Sequence, residues 1–145
     1  RRFSHLFNHN KISFYDDYAH HPTEISSVLT GVKNVYRNKE IVCVFQPHRI
    51  SRVISLKKEF SKCFKMADTV LLCPIYAANE KLKLNFTYYS FAKSIIKNSK
   101  VKLIQVDNEL QLRRFIKQNA FGDKIYIGMG AGSISNWMKN LKNIF

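Results

Sequence analysis

Four short stretches carry the residue types that do chemistry. The first is "DDYAHHPTEI", with Asp16, Asp17, Tyr18, His20 and His21 packed ahead of Pro22. Carboxylates beside imidazoles can ligate a metal, exchange protons or hold a ligand's hydroxyls. Adjacent His20 and His21 diverge, while zinc ligands ordinarily come spaced on a rigid frame, so no metal site is expected. One histidine capping the following helix while the other lines a pocket is the preferred reading; an acid/base role for one of them stays open. The second stretch is "FQPHRISR". Arg49 and Arg52, three apart at a helix start, share a face beside His48, and two guanidinium forks suit a carboxylate or a phosphate. The plainer alternative is a pair of solvated basic residues.

The third stretch is "GMGAGS", with Gly128, Gly130 and Gly132. It follows a strand and opens a helix, where backbone N–H groups can meet an anion. Ser133 stands where GxGxxG needs its third glycine, and no βαβ unit follows, so a tight strand-to-helix turn is expected rather than a dinucleotide site. The fourth is "YAANE", at the start of the long connection from Tyr76 to Phe86. GxxxxGK[ST] is absent, so this chain has no P-loop of its own.

These stretches must be held by something, and the apolar periodicity says what. Phe3 to Phe7 and Lys11 to Tyr15 are β-prone runs around a turn at Asn8-His9-Asn10. After Pro22, apolar residues at Ile25, Val28, Leu29, Val32, Val35 and Tyr36 keep helical spacing, with Pro22 in the first turn and Glu24 at the positive end of the dipole. "EIVCVFQP" reads as a strand buried on both faces, and "DTVLLCPIY", "VKLIQV" and "DKIYIGMG" read as further strands with few polar interruptions. Between them lie helices: one from Ile50 through Phe64, one over Thr87–Lys97 with Phe91, Ala92, Ile95 and Ile96 inward, and one capped by Asp107 with Leu112, Phe115 and Ile116 inward. Ser133 is expected to cap a last helix whose face is Ile134, Trp137, Met138 and Leu141. Strands alternating with amphipathic helices predict an α/β fold: a Rossmann-like open, mainly parallel sheet with helices on both faces and a short N-terminal β segment. In such a sheet ligands bind beyond the carboxyl ends of the strands, which is where all four polar stretches fall.

Composition agrees with one globular domain over residues 1–145: 46% hydrophobic, 23% charged, and no apolar run near the ~20 residues of a membrane span. Neither a secretory signal nor an initiator methionine is present, which predicts a piece of a longer protein. Cys43, Cys63 and Cys73 have no CxxC spacing and read as buried free thiols in a reducing cytoplasm. The net charge of +14 is mostly lysine, spread along the chain without a dense block, so neither nucleic acid nor membrane is expected as a partner.

In their order and spacing the four stretches resemble the C-terminal domain of the Mur ligases, over nearly the whole chain. Within that family "DDYAHHP" together with "QPHR" is similar to the branch that adds L-alanine. The resemblance implies a three-domain, ATP-dependent ligase of the bacterial cytoplasm. It would join L-alanine to UDP-N-acetylmuramate through an acyl phosphate, in peptidoglycan precursor synthesis. ATP and Mg would be bound mainly by a central domain and the sugar nucleotide by an N-terminal one. By the same resemblance Arg2 and Asp17 contact ATP, and Tyr18, His48, Arg49 and Arg52 surround L-alanine. His20 lines the pocket and His21 caps the helix. No catalytic residue is implied in this domain alone, which should be inactive by itself. Asn79 departs from the glycine usual in "YAxGE", and a local loop change is expected there. Two other readings remain open: a murein tripeptide recycling ligase, and a Rossmann-like domain that binds nucleic acid with salt-sensitive affinity.

Overall fold

Alternating apolar runs and amphipathic segments fold into one six-stranded sheet, in a computed structural model that describes residues 2–81 and 87–145. Residues 82–86, the end of the expected long connection, lie outside the described residues. Strands β1 (Ser4–His9) and β2 (Ile12–Asp17) form an antiparallel hairpin. The other strands are β3 (Glu40–Phe45), β4 (Thr69–Leu72), β5 (Lys102–Gln105) and β6 (Lys124–Met129). The order is β1-β2-β6-β3-β4-β5, and every pair but the first is parallel. The chain steps outward from β2 through β3 and β4 to β5, then returns to insert β6 between β2 and β3.

Side chains alternate across each strand and so build two cores. On one face Ile41, Cys43, Phe45, Ile125, Ile127 and Met129 meet α1 (Pro22–Val35), α3 (Lys57–Lys62) and α4 (Tyr88–Ser99). On the other, Phe14, Val42, Val44 and Tyr126 meet α5 (Glu109–Gln118), α6 (Ile134–Asn140) and a closing 3-10 turn at Leu141–Ile144. Outward crossovers on one face and the return crossover on the other are what right-handed connections require. Burial on both faces explains why β3, β4 and β6 read as unbroken apolar runs, whereas β5, at the sheet edge, is half-exposed. The three cysteines are free and buried, and burial pushes their thiols up in pKa, out of reach of ready oxidation.

Several local expectations shift. The hairpin turn sits one step later than expected: His9 still pairs with Ile12, and Asn10, at φ 54°, makes the bend. The loop is two residues, Asn10-Lys11, and asparagine tolerates the positive φ that such a hairpin needs; beside it the His9 ring stacks on Phe145 at 4.0 Å. The single helix expected from Ile50 is two, α2 (Ile50–Ser55) and α3, broken at Leu56, which packs half-buried against the core. Ile96 is 44% exposed, because the buried stripe of α4 runs Phe91, Ala92, Ile95, Ser99. Val35 is 71% exposed at the end of α1, outside the Ile25, Leu29, Val32 stripe. Asn108 rather than Asp107 caps α5: its side chain accepts from the Gln111 N–H at 2.9 Å. Ser133 is the N-cap residue of α6, but its side chain makes no capping bond.

Candidate functional site

The carboxyl ends of β2, β6, β3 and β4 are neighbours, so the four polar stretches share one edge of the sheet. At the β2 end, Asp17 is only 5% exposed. Its carboxylate accepts from the Phe3 N–H at 2.7 Å and from the Ala19 N–H at 2.8 Å. A carboxylate has roughly four acceptor positions, so two are used and the group is held in a fixed orientation. Arg2, Asp17 and Tyr18 line a cavity of about 650 Å³. Its other wall is α1, presenting Val28, Val32 and Val35, with Tyr36 just past the helix end. Gly31 lies in that wall, where an added Cβ would meet nothing within 4 Å. The cavity thus joins an apolar wall to a cation and a buried carboxylate, the composition of a small-molecule site.

The histidine pair divides its work. His21 is the N-cap of α1: its Nδ1 accepts from the Thr23 N–H, while Glu24 reaches back to the His21 N–H at 3.0 Å, closing a capping box. Burial alone would raise the Glu24 pKa, but the N–H groups of His21 and His20 and the charges of their rings outweigh it and hold the carboxyl below its usual range. His20 turns the other way. Its Nδ1 lies 2.9 Å from the Tyr18 carbonyl, and its ring meets Tyr18 edge-on at 4.9 Å and His48 at 5.8 Å. His48 in turn stacks on Tyr76 at 5.5 Å. A row of rings, Tyr18–His20–His48–Tyr76, therefore crosses from the β2 end to the β4 end.

His48 and Arg49 are held by backbone. His48 pairs with Tyr76 in a parallel bridge, the Arg49 N–H donates to the Tyr76 carbonyl at 2.8 Å, and the Tyr76 N–H donates to the Pro47 carbonyl at 2.8 Å. Arg49 sits at φ 69°, a conformation that costs a non-glycine residue on the order of 1–3 kcal/mol and that the surrounding bonds must impose. The His48 pKa is lowered, first by burial, then by the charges of His20, Arg52 and Arg49; Glu80 pulls weakly the other way. His48 Nδ1 is buried and has no hydrogen-bond partner among the described residues. Neutral imidazole beside two guanidinium groups offers one acceptor within a cationic surround. That is a setting for a small molecule carrying both a carboxylate and an amine.

The glycine turn is structural. Gln46 reaches across from the β3 end, its Oε1 accepting from the Ile134 N–H at 3.0 Å and its Nε2 donating to Ser133 Oγ at 2.9 Å, which supplies the α6 cap. The Gly130 N–H donates to the Asp17 carbonyl at 3.3 Å. A Cβ on Gly132 would lie 2.5 Å from Tyr76 Cγ, so the turn must be bare for Tyr76 to pack there. Asn79 stands at φ 70°, the left-handed conformation that glycine would take and that asparagine tolerates.

Residues 1–132 match the family model described as Mur ligase, glutamate ligase domain. The chain belongs to that family. It is 60% identical over 144 residues to a UDP-N-acetylmuramate--L-alanine ligase of Pelagibacter ubique, covering 99% of this chain and 31% of that protein. A protein of the same name from Hydrogenobaculum is 40% identical over 137 residues, covering 94% of this chain and 29% of that one. This Mur ligase domain thus spans about a third of the length of the curated relatives it matches. Among solved structures, UDP-N-acetylmuramate-alanine ligase from Thermotoga maritima superposes with a TM-score of 0.71 at 26% identity, covering 99% of this chain and 29% of that one. A murein peptide ligase from Psychrobacter arcticus reaches 0.78 at 19% identity, with the same coverages, a likeness of fold alone.

Of the residues singled out in the sequence, the Mur ligase domain brings Arg2, Asp17 and Tyr18 to one cavity, and His20, His48, Arg49 and Arg52 to the adjoining ring cluster. Arg49 and Arg52 stand outside the cavity lining. Among the described residues no three acidic, His or Cys side chains converge as a metal site would need. Sequence reasoning gave no role to Tyr76, Gln46 or Glu80. "YAANE" was the available signal for Tyr76 and Glu80. Glu80 anchors that loop by accepting from Ser51 Oγ at 2.5 Å and from the Ser51 N–H at 3.2 Å. Nothing in "FQP" foretold that Gln46 would cap a helix 88 residues away.

Proposed function

We propose that this chain is the C-terminal domain of a three-domain ligase that joins L-alanine to UDP-N-acetylmuramate at the expense of ATP. The observation that carries the reading is the 60% identity, over 144 residues, to a relative of that name. The higher fold similarity to a murein peptide ligase is the one observation favouring the recycling enzyme, and at 19% identity it speaks to shape only.

In this reading the cavity between the β2 end and α1 receives part of the nucleotide. Asp17 accepts from the ribose hydroxyls with its two remaining acceptor positions, and Arg2 meets phosphate charge. The ring cluster receives L-alanine. Arg49 and Arg52 hold its carboxylate, Tyr18 and His20 wall the site, and the neutral imidazole of His48 orients its amine. Mg, held with ATP by parts of the protein outside this chain, supplies charge stabilisation to the transferring phosphoryl group. This domain's share is binding and alignment: it sets the amine where the acyl phosphate of the sugar nucleotide will stand, which is worth several orders of magnitude in rate.

The test is a Michaelis-constant split in the full-length protein. Arg49→Ala keeps an L-residue at the strained position but removes the fork, and it should raise the KM for L-alanine about tenfold or more while that for ATP stays within about twofold. Equal increases for both substrates would remove Arg49 from the alanine site.

A further inference from the structure

We propose that Phe3 and Tyr15 form, with Asp17, a clasp that positions Arg2 at the nucleotide cavity. The inference rests on the reading of that cavity given above and adds two residues that touch no substrate in it. Arg2 lines the cavity, yet its side chain makes no hydrogen bond or ion pair with the described residues. Its place is therefore set by the backbone that follows it. That backbone is fixed unusually firmly for a segment ahead of a first strand.

The Phe3 N–H donates to Asp17 at 2.7 Å, and the Phe3 ring lies flat on Tyr15, with centroids 4.0 Å apart and planes 2° from parallel. Phe3 takes φ 44°, a left-handed conformation that an ordinary residue keeps only when its neighbours enforce it. That angle turns the chain sharply just before β1, and the residue so redirected is Arg2. Tyr15 is itself braced. The His5 ring meets it edge-on at 5.3 Å, and its phenol lies near Tyr36, which lines the same cavity; burial first and then that neighbour raise its pKa. The clasp therefore ties three parts of the nucleotide site to one stacked pair: the cation, the carboxylate and the α1 wall. Phe3 and Tyr15 are positioning residues, since they act through Arg2 and Asp17.

The test uses the full-length ligase and five variants, with ATP and L-alanine kinetics and a thermal melt for each. Tyr15→Leu should raise the KM for ATP about three- to tenfold, leaving kcat and the KM for L-alanine within about twofold. Tyr15→Phe keeps the stacked ring and should restore wild-type behaviour. Arg2→Ala should raise the KM for ATP by itself, and Arg2→Ala combined with Tyr15→Leu should be no worse than Arg2→Ala alone, because the clasp works through that side chain. Should Tyr15→Leu prove unfolded in the melt, Phe3→Leu removes the same stack from its other partner and is expected to give the same split. Two results overturn the clasp while leaving the nucleotide reading intact: an unchanged ATP KM in both stack variants when Arg2→Ala raises it, or additive effects in the double variant. An Arg2→Ala enzyme with unaltered ATP kinetics overturns the nucleotide role of Arg2 and the clasp with it.

Discussion

His48 shows how one side chain inherits its behaviour from its surroundings. Its pKa is lowered by burial first and then by the charges of His20, Arg52 and Arg49. The folded domain therefore favours the neutral ring, while the unfolded chain titrates near the ordinary value of about 6.5. Below that value the unfolded state binds more protons, so stability falls as pH drops from about 6.5 toward the folded pKa, and levels off below it. The expected outcome is a urea midpoint that declines between pH 7.5 and 5.5, with a smaller decline in His48→Asn. An identical decline in the variant would assign the acid sensitivity elsewhere; Glu24, held below its usual range, stays ionised in both states through this window and could not supply it. At this scale the sequence was legible in kind. Asp17 closes β2, and Tyr18, His48 and Arg49 follow strand ends, where the switch from apolar run to polar loop announced them in the sequence. Their partners were not legible, because the contacts of Asp17 with Phe3 and of His48 with Tyr76 close only when distant strands align.

Elements were readable wherever one physical rule dominated. The unbroken apolar runs gave β3, β4 and β6, and the stripe from Ile25 to Val32 gave α1 with Pro22 in its first turn. Readings failed where tertiary contacts set local structure. Leu56 breaks a helix without glycine or proline, and Ser133 leaves the capping of α6 to Gln46. That cap makes a prediction at this scale. Gln46→Ala would leave the buried Ile134 N–H without its acceptor, which costs about 1–3 kcal/mol. Chemical denaturation of this chain should report a loss in that range; a loss below about 0.5 kcal/mol would mean that water or another group takes over the cap. Gln46 also abuts Gly132, whose bareness seats Tyr76, so the same substitution should loosen the Tyr76–His48 stack.

For the molecule as a whole, sheet order decides what the domain can do alone. Inserting β6 between β2 and β3 gathers the four polar loops along one edge, with Arg2, Asp17 and Tyr18 on the cavity side and His48, Arg49 and Arg52 on the other. Neither part contains a P-loop or converging metal ligands among the described residues. This chain by itself should fold cooperatively and show no L-alanine-dependent ATP turnover; measurable turnover would mean that the phosphoryl-transfer machinery lies within these residues after all. The fold class and its mainly parallel order followed from strand–helix alternation, whereas the placing of β6 did not, since nothing local distinguishes an edge strand from an inserted one. The central claim concerns which amino component the complete enzyme accepts. The full-length protein supplied with ATP, UDP-N-acetylmuramate and equimolar L-alanine and murein tripeptide should yield UDP-N-acetylmuramoyl-L-alanine as the dominant product by mass spectrometry. Preferential ligation of the tripeptide would contradict the account.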